Sequence, residues 1–267
     1  MAIELLCTVR TCGLPLAIEG RVARCPSGHA YDRAREGYWN LAQPQDRRSL
    51  RAGDTLGAAL ARRRWIERGF ASGLIETVRA RLPGPARALD VACGEGSLTR
   101  AIFPAGEVAG IDLSVPSIRL AARSFRDAAW VVANADRGLP LADGGVDVAI
   151  SLFGRRPFAE LRRVLAPGGV VVVAVPAQDD LIELREAAQG DATRRDRVDG
   201  VAREFEGIFR IRDRATWRSR ALHDRAALED ALAMSYRGSR RSERARLEGV
   251  ESLQVTIAAE LLILAPS

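Results

Sequence analysis

The stretch LDVACGEGSLTRAI, residues 89–102, decides the fold. Its apolar start reads as a strand that runs out at Asp90-Val91-Ala92, a Gly-Glu-Gly turn follows, and a helix begins near Ser97. Glycines let the backbone turn tightly and come close to a ligand, and the first N–H groups of the helix have no partner inside it. Dinucleotide-binding proteins share this layout but carry a third glycine, where Thr99 stands here. The next apolar stretch closes with Gly110-Ile111-Asp112. An acid at that strand end is placed to accept hydrogen bonds from ribose hydroxyls.

Outward from this turn, strands are expected at residues 88–92, 108–111, 130–132, 146–152 and 170–175, with helices at 114–125 and 158–165 between them. Apolar strands alternating with helices predict an α/β fold, a mostly parallel, seven-stranded Rossmann-like sheet with helices on both faces. Upstream, Leu60, Trp65, Ile66, Phe70, Leu74 and Val78 recur at helical spacing, which predicts one helix over 56–81, ended by Pro83-Gly84-Pro85. Residues 225–234 read as helix, and 253–264 as two strands or one long one. Residues 43–55 read as a linker or binding loop. The expected division is 1–42, a small metal module; 43–84, linker and connecting helix; and 85–267, the α/β domain.

Hydrophobic residues make up 47% and charged residues 28% of the 267, the balance of a globular chain. The longest apolar run, around Val170 to Val175, is too short to cross a bilayer. No stretch near Met1 has the build of a secretory signal, so a cytoplasmic protein is expected. The net charge is +6, and all 40 basic residues are arginine. An arginine-favouring, GC-rich genome and a phosphate-facing surface both account for this, and the two are compatible.

Cys7, Cys12, Cys25 and His29 follow C-x4-C-x12-C-x3-H. Two short-spaced pairs of soft ligands fit a tetrahedral zinc ion, with all four positions filled and the metal therefore structural. The alternative is a set of free buried cysteines beside a surface histidine. Cys93 stands apart and reads as a small core residue.

The turn, Asp112 and LAPGGVVVVAVP (residues 165–176) together resemble the class I S-adenosylmethionine methyltransferases. That resemblance implies that Asp90 and the turn Ala92, Gly94, Glu95 and Gly96 hold the methionine end of the cofactor. It implies that Asp112 holds the ribose, and that Asn134, Ala135 and Asp136 flank the adenine. Leu113, Leu152 and Phe70 complete the expected cofactor set.

CPSGHAYDRAREGYWNLA (residues 25–42) and GDTLGAALARRRWIERGF (residues 53–70) resemble, more narrowly, the bacterial 23S ribosomal RNA (guanine-N1)-methyltransferases, both housekeeping and macrolide-resistance members. The resemblance implies methyl transfer to guanine N1 in a 23S ribosomal RNA hairpin, macrolide-type resistance as a possible outcome, and a homodimer. The chain departs from the pattern in the four-residue gap of its first zinc pair and in Ala92, where a glycine is common. It departs again around Phe153, Asp180 and Tyr236, where the target base should enter.

RNA contacts are expected from Arg33, Arg35, Arg47, Arg48, Arg51, Arg62, Arg63 and Arg64; for the last three a solvated helix face is the competing reading. Arg237, Arg240, Arg241, Arg244 and Arg246 read as a solvated loop or helix. Guanine N1 carries a proton at neutral pH, and Asp180 is a candidate to take it, with a helix N-cap as its alternative role. Phe153 and Phe70 could stack on a base or adenine, or fill the core. The competing functions are a small-molecule methyltransferase and a non-catalytic RNA-binding or cofactor-sensing relative.

Overall fold

The computed structural model describes residues 3–46, 53–84, 86–234 and 247–267. Near the N-terminus, β1 (Ala17–Glu19), β2 (Val22–Arg24) and β3 (Ala30–Asp32) form a small antiparallel sheet. Gly20, with φ +62°, opens the two-residue turn between β1 and β2, the position that needs a left-handed backbone in such hairpins. The chain then runs through β4 (Trp39–Asn40), α1 (Leu56–Glu67), α2 (Ser72–Arg79), β5 (Arg87–Val91), α3 (Ser97–Ile102), β6 (Glu107–Asp112), α4 (Val115–Ser124), β7 (Ala129–Val132) and β8 (Val146–Leu152). It continues with α5 (Phe158–Val164), β9 (Leu165–Pro176), α6 (Ile182–Gln189), α7 (Val198–Glu204), β10 (Phe209–Asp224), α8 (Arg225–Ala233) and β11 (Ser252–Pro266).

The large sheet has the order β10-β11-β9-β8-β5-β6-β7-β4. Strands β4 to β9 pair in parallel, and β11 runs antiparallel to both β9 and β10. Strand order reverses at β5, which lies between β6 and β8, and the crevice at the carboxyl ends of these strands is where such folds bind ligands. Both faces are covered, as the unbroken valines of β9 require: Val171, Val173 and Val175 pack into one cluster, Val170 and Val172 into the other.

Three expectations change. The sheet has eight strands rather than seven, because β4 adds to the free edge of β7 through Trp39 opposite Val131 and Asn40 opposite Val132. The expected N-terminal module is present, and its Leu5, Cys7, Leu16, Tyr31 and Leu41 pack with Leu89, Ile111 and Val131 of the α/β domain in a single core cluster. The helix expected over 56–81 is two helices, α1 and α2, parted at Gly69 (φ +85°), where a helix cannot continue. The stretch 253–264 lies in a single strand, and its partner, the 16-residue β10, was not expected at all. Among the described residues no helix is long and apolar enough to cross a membrane.

Candidate active site and metal centre

Two tight turns build the metal centre. Cys12 N–H donates to Val9 O at 2.9 Å in the first, and Gly28 N–H to Cys25 O at 2.9 Å in the second. These bring one ligand atom each from Cys7, Cys12, Cys25 and His29 within 4.8 Å of one another. Tetrahedral zinc, with bonds of about 2.3 Å to sulfur and 2.0 Å to nitrogen, sets edges of about 3.8 Å between sulfurs and 3.5 Å from sulfur to nitrogen. The structure has Cys12 Sγ to Cys25 Sγ at 3.8 Å, and His29 Nδ1 at 3.5 Å from Cys7 Sγ and 3.4 Å from Cys25 Sγ. The donor set fits zinc, with His29 binding through Nδ1. The Tyr31 hydroxyl, 3.2 Å from Cys7 Sγ, steadies one thiolate from outside.

The second site is a cavity of ≈ 1390 Å³ at the carboxyl ends of β5, β6, β7 and β8. Asp90, Ala92, Gly94, Asp112, Leu113, Asn134, Ala135, Asp136 and Leu152, all expected at a cofactor, line it. Asp90 is buried, accepts a bond from Thr99 Oγ1 at 2.6 Å, and is pushed by burial up to about 7. Asp112 accepts from Gly94 N–H at 2.9 Å and from Ser114 N–H at 2.7 Å; burial raises its pKa against those two bonds. Its position ties the second strand end to the glycine turn. Gly94 and Gly96 have φ of +58° and +81°. Ala92 holds a left-handed φ of +61°, a conformation a glycine would take without strain.

Glu95, Gly96 and Phe70 are not among the lining residues. Glu95 is 1% exposed and turned away, accepting from Ser97 Oγ at 2.6 Å and Arg63 Nε at 3.1 Å. Gly96 lies on the indole of Trp130. Phe70 stacks on His223, with centroids 4.0 Å apart, because the break at Gly69 turns it toward β10 instead of the glycine turn.

The arginines sort differently from the expectation. Arg33 and Arg35 are exposed on the N-terminal module. Arg62 lines the cavity and pairs with Asp54 at 2.7 Å. Arg63 is held by Glu95 and Ser124, and Arg64 pairs with Asp230 at 2.5 Å. Arg63 ties α1 to the glycine turn and α4, and Arg64 ties it to α8, contacts that a merely solvated helix face would not make. Arg47, Arg48, Arg51, Tyr236, Arg237, Arg240, Arg241, Arg244 and Arg246 lie outside the described residues. Arg10, Arg21 and Arg24, which sequence reading passed over, are exposed on the zinc module. Their only signal was proximity in sequence to the ligands.

Phe153, Arg155, Gln178, Asp180 and Arg197 also line the cavity, with Gly154 against Ala92 and Arg155 paired with Asp136 at 2.8 Å. Phe153 is 46% exposed with φ +62°, so the core role open to it from sequence is excluded. Asp180 is not a helix cap: Leu181 precedes α6 without a side-chain cap, and Asp180 Oδ1 accepts from Ala258 N–H at 2.9 Å. Burial pushes Asp180 up to about 6, against the pull of Arg197 and Arg185. Cys93, at the cavity wall, is driven well above the usual thiol range by burial and behaves as an inert core residue.

The family model described as a methyltransferase domain matches residues 88–169. The model described as RlmA, N-terminal, a zinc ribbon, matches residues 7–50. A curated 23S rRNA (guanine(748)-N(1))-methyltransferase of Streptomyces fradiae is 35% identical to this chain over 241 residues, 84% of this chain and 82% of that protein. The chain belongs to the 23S rRNA (guanine-N1)-methyltransferase family. Within that family the zinc ribbon is the discriminating part, because the cofactor half alone is widely shared. A malonyl-[acyl-carrier protein] O-methyltransferase of Pseudescherichia vulneris is 39% identical, but over only 39% of this chain and 45% of its own length. The solved PH0226 protein of Pyrococcus horikoshii, 17% identical, superposes with a TM-score of 0.50 over 75% of this chain and 91% of its own, a likeness of fold. As a member of the family, this methyltransferase uses S-adenosylmethionine, and structural zinc in the ribbon, where the donor set fits it.

Proposed function

We propose that this methyltransferase carries the methyl group of S-adenosylmethionine to N1 of a guanine in a hairpin of 23S ribosomal RNA. The observation that carries the reading is the alignment with the S. fradiae enzyme, which runs over most of both chains and is not confined to the shared cofactor half. One cavity holds the cofactor residues around Gly94 together with Phe153 and Asp180, to which we assign the acceptor base. The bound cofactor supplies a methyl group already activated on sulfonium, which leaves alignment and proton removal to the protein.

N1 lies on the pairing edge of guanine, so the base must leave its stack to react. The exposed ring of Phe153 in the cavity offers it a stacking surface. Asp180 has one carboxylate oxygen fixed by Ala258 N–H, and its other oxygen takes the N1 proton as the nitrogen gains its methyl. Arg33 and Arg35, with Arg10, Arg21 and Arg24, supply phosphate contacts from the ribbon. A homodimer and a cytoplasmic location, where ribosomal RNA is found, belong to the same proposal.

Incubation with methyl-labelled cofactor tests it, with unmodified 23S ribosomal RNA in one arm and an RNA-free metabolite extract in the other. Label in the RNA, falling with added salt, is the expected result. Label only in the extract returns the small-molecule reading, and cofactor binding without any transfer returns the non-catalytic one. Macrolide susceptibility of a host with and without the gene reads out any resistance phenotype.

A further inference from the structure

Six arginines line the cavity: Arg62, Arg137, Arg155, Arg185, Arg195 and Arg197. Arg62 is the one at the glycine turn. A Cβ placed on Gly94 would lie 2.9 Å from Arg62 Nη1, so the guanidinium rests directly against the turn backbone. Its other terminal nitrogen, Nη2, pairs with Asp54 Oδ2 at 2.7 Å. Among the described residues none accepts a hydrogen bond from Nη1. The guanidinium is thus held by one edge and offers its other edge to the cavity.

Its support is built with equal care. Gly53 approaches Ser114 so closely that a Cβ would lie 2.8 Å from Ser114 N, and Asp54 O accepts from Ser114 Oγ at 2.7 Å. Ser114 N–H in turn donates to Asp112. The strap before α1 is therefore pinned to the end of β6, and it carries Asp54 to the place where it can hold Arg62.

The methionine end of the cofactor bears an ammonium and a carboxylate. The acids at this end of the cavity, Asp90 and Asp112, suit the ammonium and the ribose; neither can bind a carboxylate. We propose that Arg62 is the carboxylate-binding residue of the cofactor site, donating from Nη1 to the methionine carboxylate while Asp54 keeps Nη2. This rests on the cofactor reading of the cavity, and it removes Arg62 from the RNA-binding set in which the sequence placed it. A planar guanidinium fixed by a second carboxylate loses little freedom on binding, which is why arginine suits the task better than a mobile lysine.

The test is calorimetric titration of the full chain with two ligands, S-adenosylhomocysteine and its decarboxylated analogue, S-adenosyl-3-thiopropylamine. Arg62→Gln should weaken S-adenosylhomocysteine by roughly 10- to 100-fold, the effect of one charge-assisted bond. It should leave the decarboxylated analogue within about twofold of its wild-type affinity. Arg62→Lys, which keeps the charge, should fall between. Equal losses for both ligands would overturn the proposal, because Arg62 would then act only by holding the turn, and so would an unchanged affinity for S-adenosylhomocysteine. Failure of the wild-type chain to bind S-adenosylhomocysteine would remove the cofactor reading itself, and the proposal with it. Far-UV circular dichroism and thermal melting of the variants separate a lost contact from a lost fold.

Discussion

Gly110→Ala puts the packing beneath the glycine turn to the test. Gly110 sits in β6, where an added Cβ would lie 2.3 and 2.5 Å from Cζ3 and Cε3 of Trp130 and 3.0 Å from Cys93 Sγ. Trp130 is 1% exposed, and its indole N–H donates to Phe125 O at 2.7 Å. The far edge of the ring meets Gly96, where a Cβ would lie 2.6 Å from Cη2. The ring cannot retreat without breaking its hydrogen bond or pushing on the turn. Overpacking of this kind costs about 1–3 kcal/mol. Loss of the indole bond adds about 1 kcal/mol. Replacing a strand glycine returns about 0.5–1 kcal/mol. The net expectation is a loss of about 1–3.5 kcal/mol in urea unfolding followed by far-UV circular dichroism. Trp130→Phe, which removes the clashing ring edge, should make the pair at least about 1 kcal/mol less damaging than the sum of its members. A Gly110→Ala stability within about 0.5 kcal/mol of wild type, or strict additivity with Trp130→Phe, would refute the reasoning.

Three further outcomes follow from the two sites. Cys12→Ser should lower bound zinc below one per chain and lower Tm by roughly 20 °C or more. Small zinc modules draw about 10 kcal/mol or more from the metal, and each kcal/mol is worth about 2–4 °C in a chain of this size; full zinc content and an unshifted melt would count against the ligand set. Asp180 acts as a base only when ionised, so methyl transfer should rise with pH through about 6 and then level off. Asp180→Asn should lower kcat by about 100-fold or more with little change in KM for RNA, and a variant of wild-type rate excludes the assignment. Asp90 is held up to about 7 in the folded chain, above its usual range, so the folded form keeps a proton that the unfolded form releases from about pH 4. Stability of the ligand-free protein should therefore fall as pH rises from about 4 to 7, and Asp90→Asn should flatten that slope in urea titrations at several pH values.

How much of this could be read from residues alone depends on where the apolar pattern was complete. The turn at 92–96, Asp112 and the valines of β9 were legible because both faces of a parallel strand are buried and the chemistry sits at strand ends. The zinc ligands were legible from spacing alone. Strand β10 was missed although Phe209, Ile211, Ala215, Trp217 and Ala221 alternate with Arg210, Arg212, Arg214, Arg218 and Arg220 at the period of a half-buried edge strand. Its inward side chains are few and mostly small, and the bulge at Ile211 to Asp213 breaks the alternation. The apolar spacing of 56–81 hid the break at Gly69, since one exposed glycine leaves the flanking pattern intact. The ion pairs of Arg62, Arg63 and Arg64 were not legible, because charge is visible in sequence and its partners, Asp54, Glu95 and Asp230, are not. Ala92 looked like a mild replacement in sequence, and only its φ of +61° shows what the glycine common there would relieve.

The central claim is tested most directly by digesting 23S ribosomal RNA to nucleosides after incubation with the enzyme and cofactor, and identifying the methylated product by mass spectrometry. The expected product is 1-methylguanosine, confined to one hairpin and formed about 100-fold or more slowly with Asp180→Asn. A methyl group on any other base or atom, or none on RNA that binds the enzyme, would contradict it.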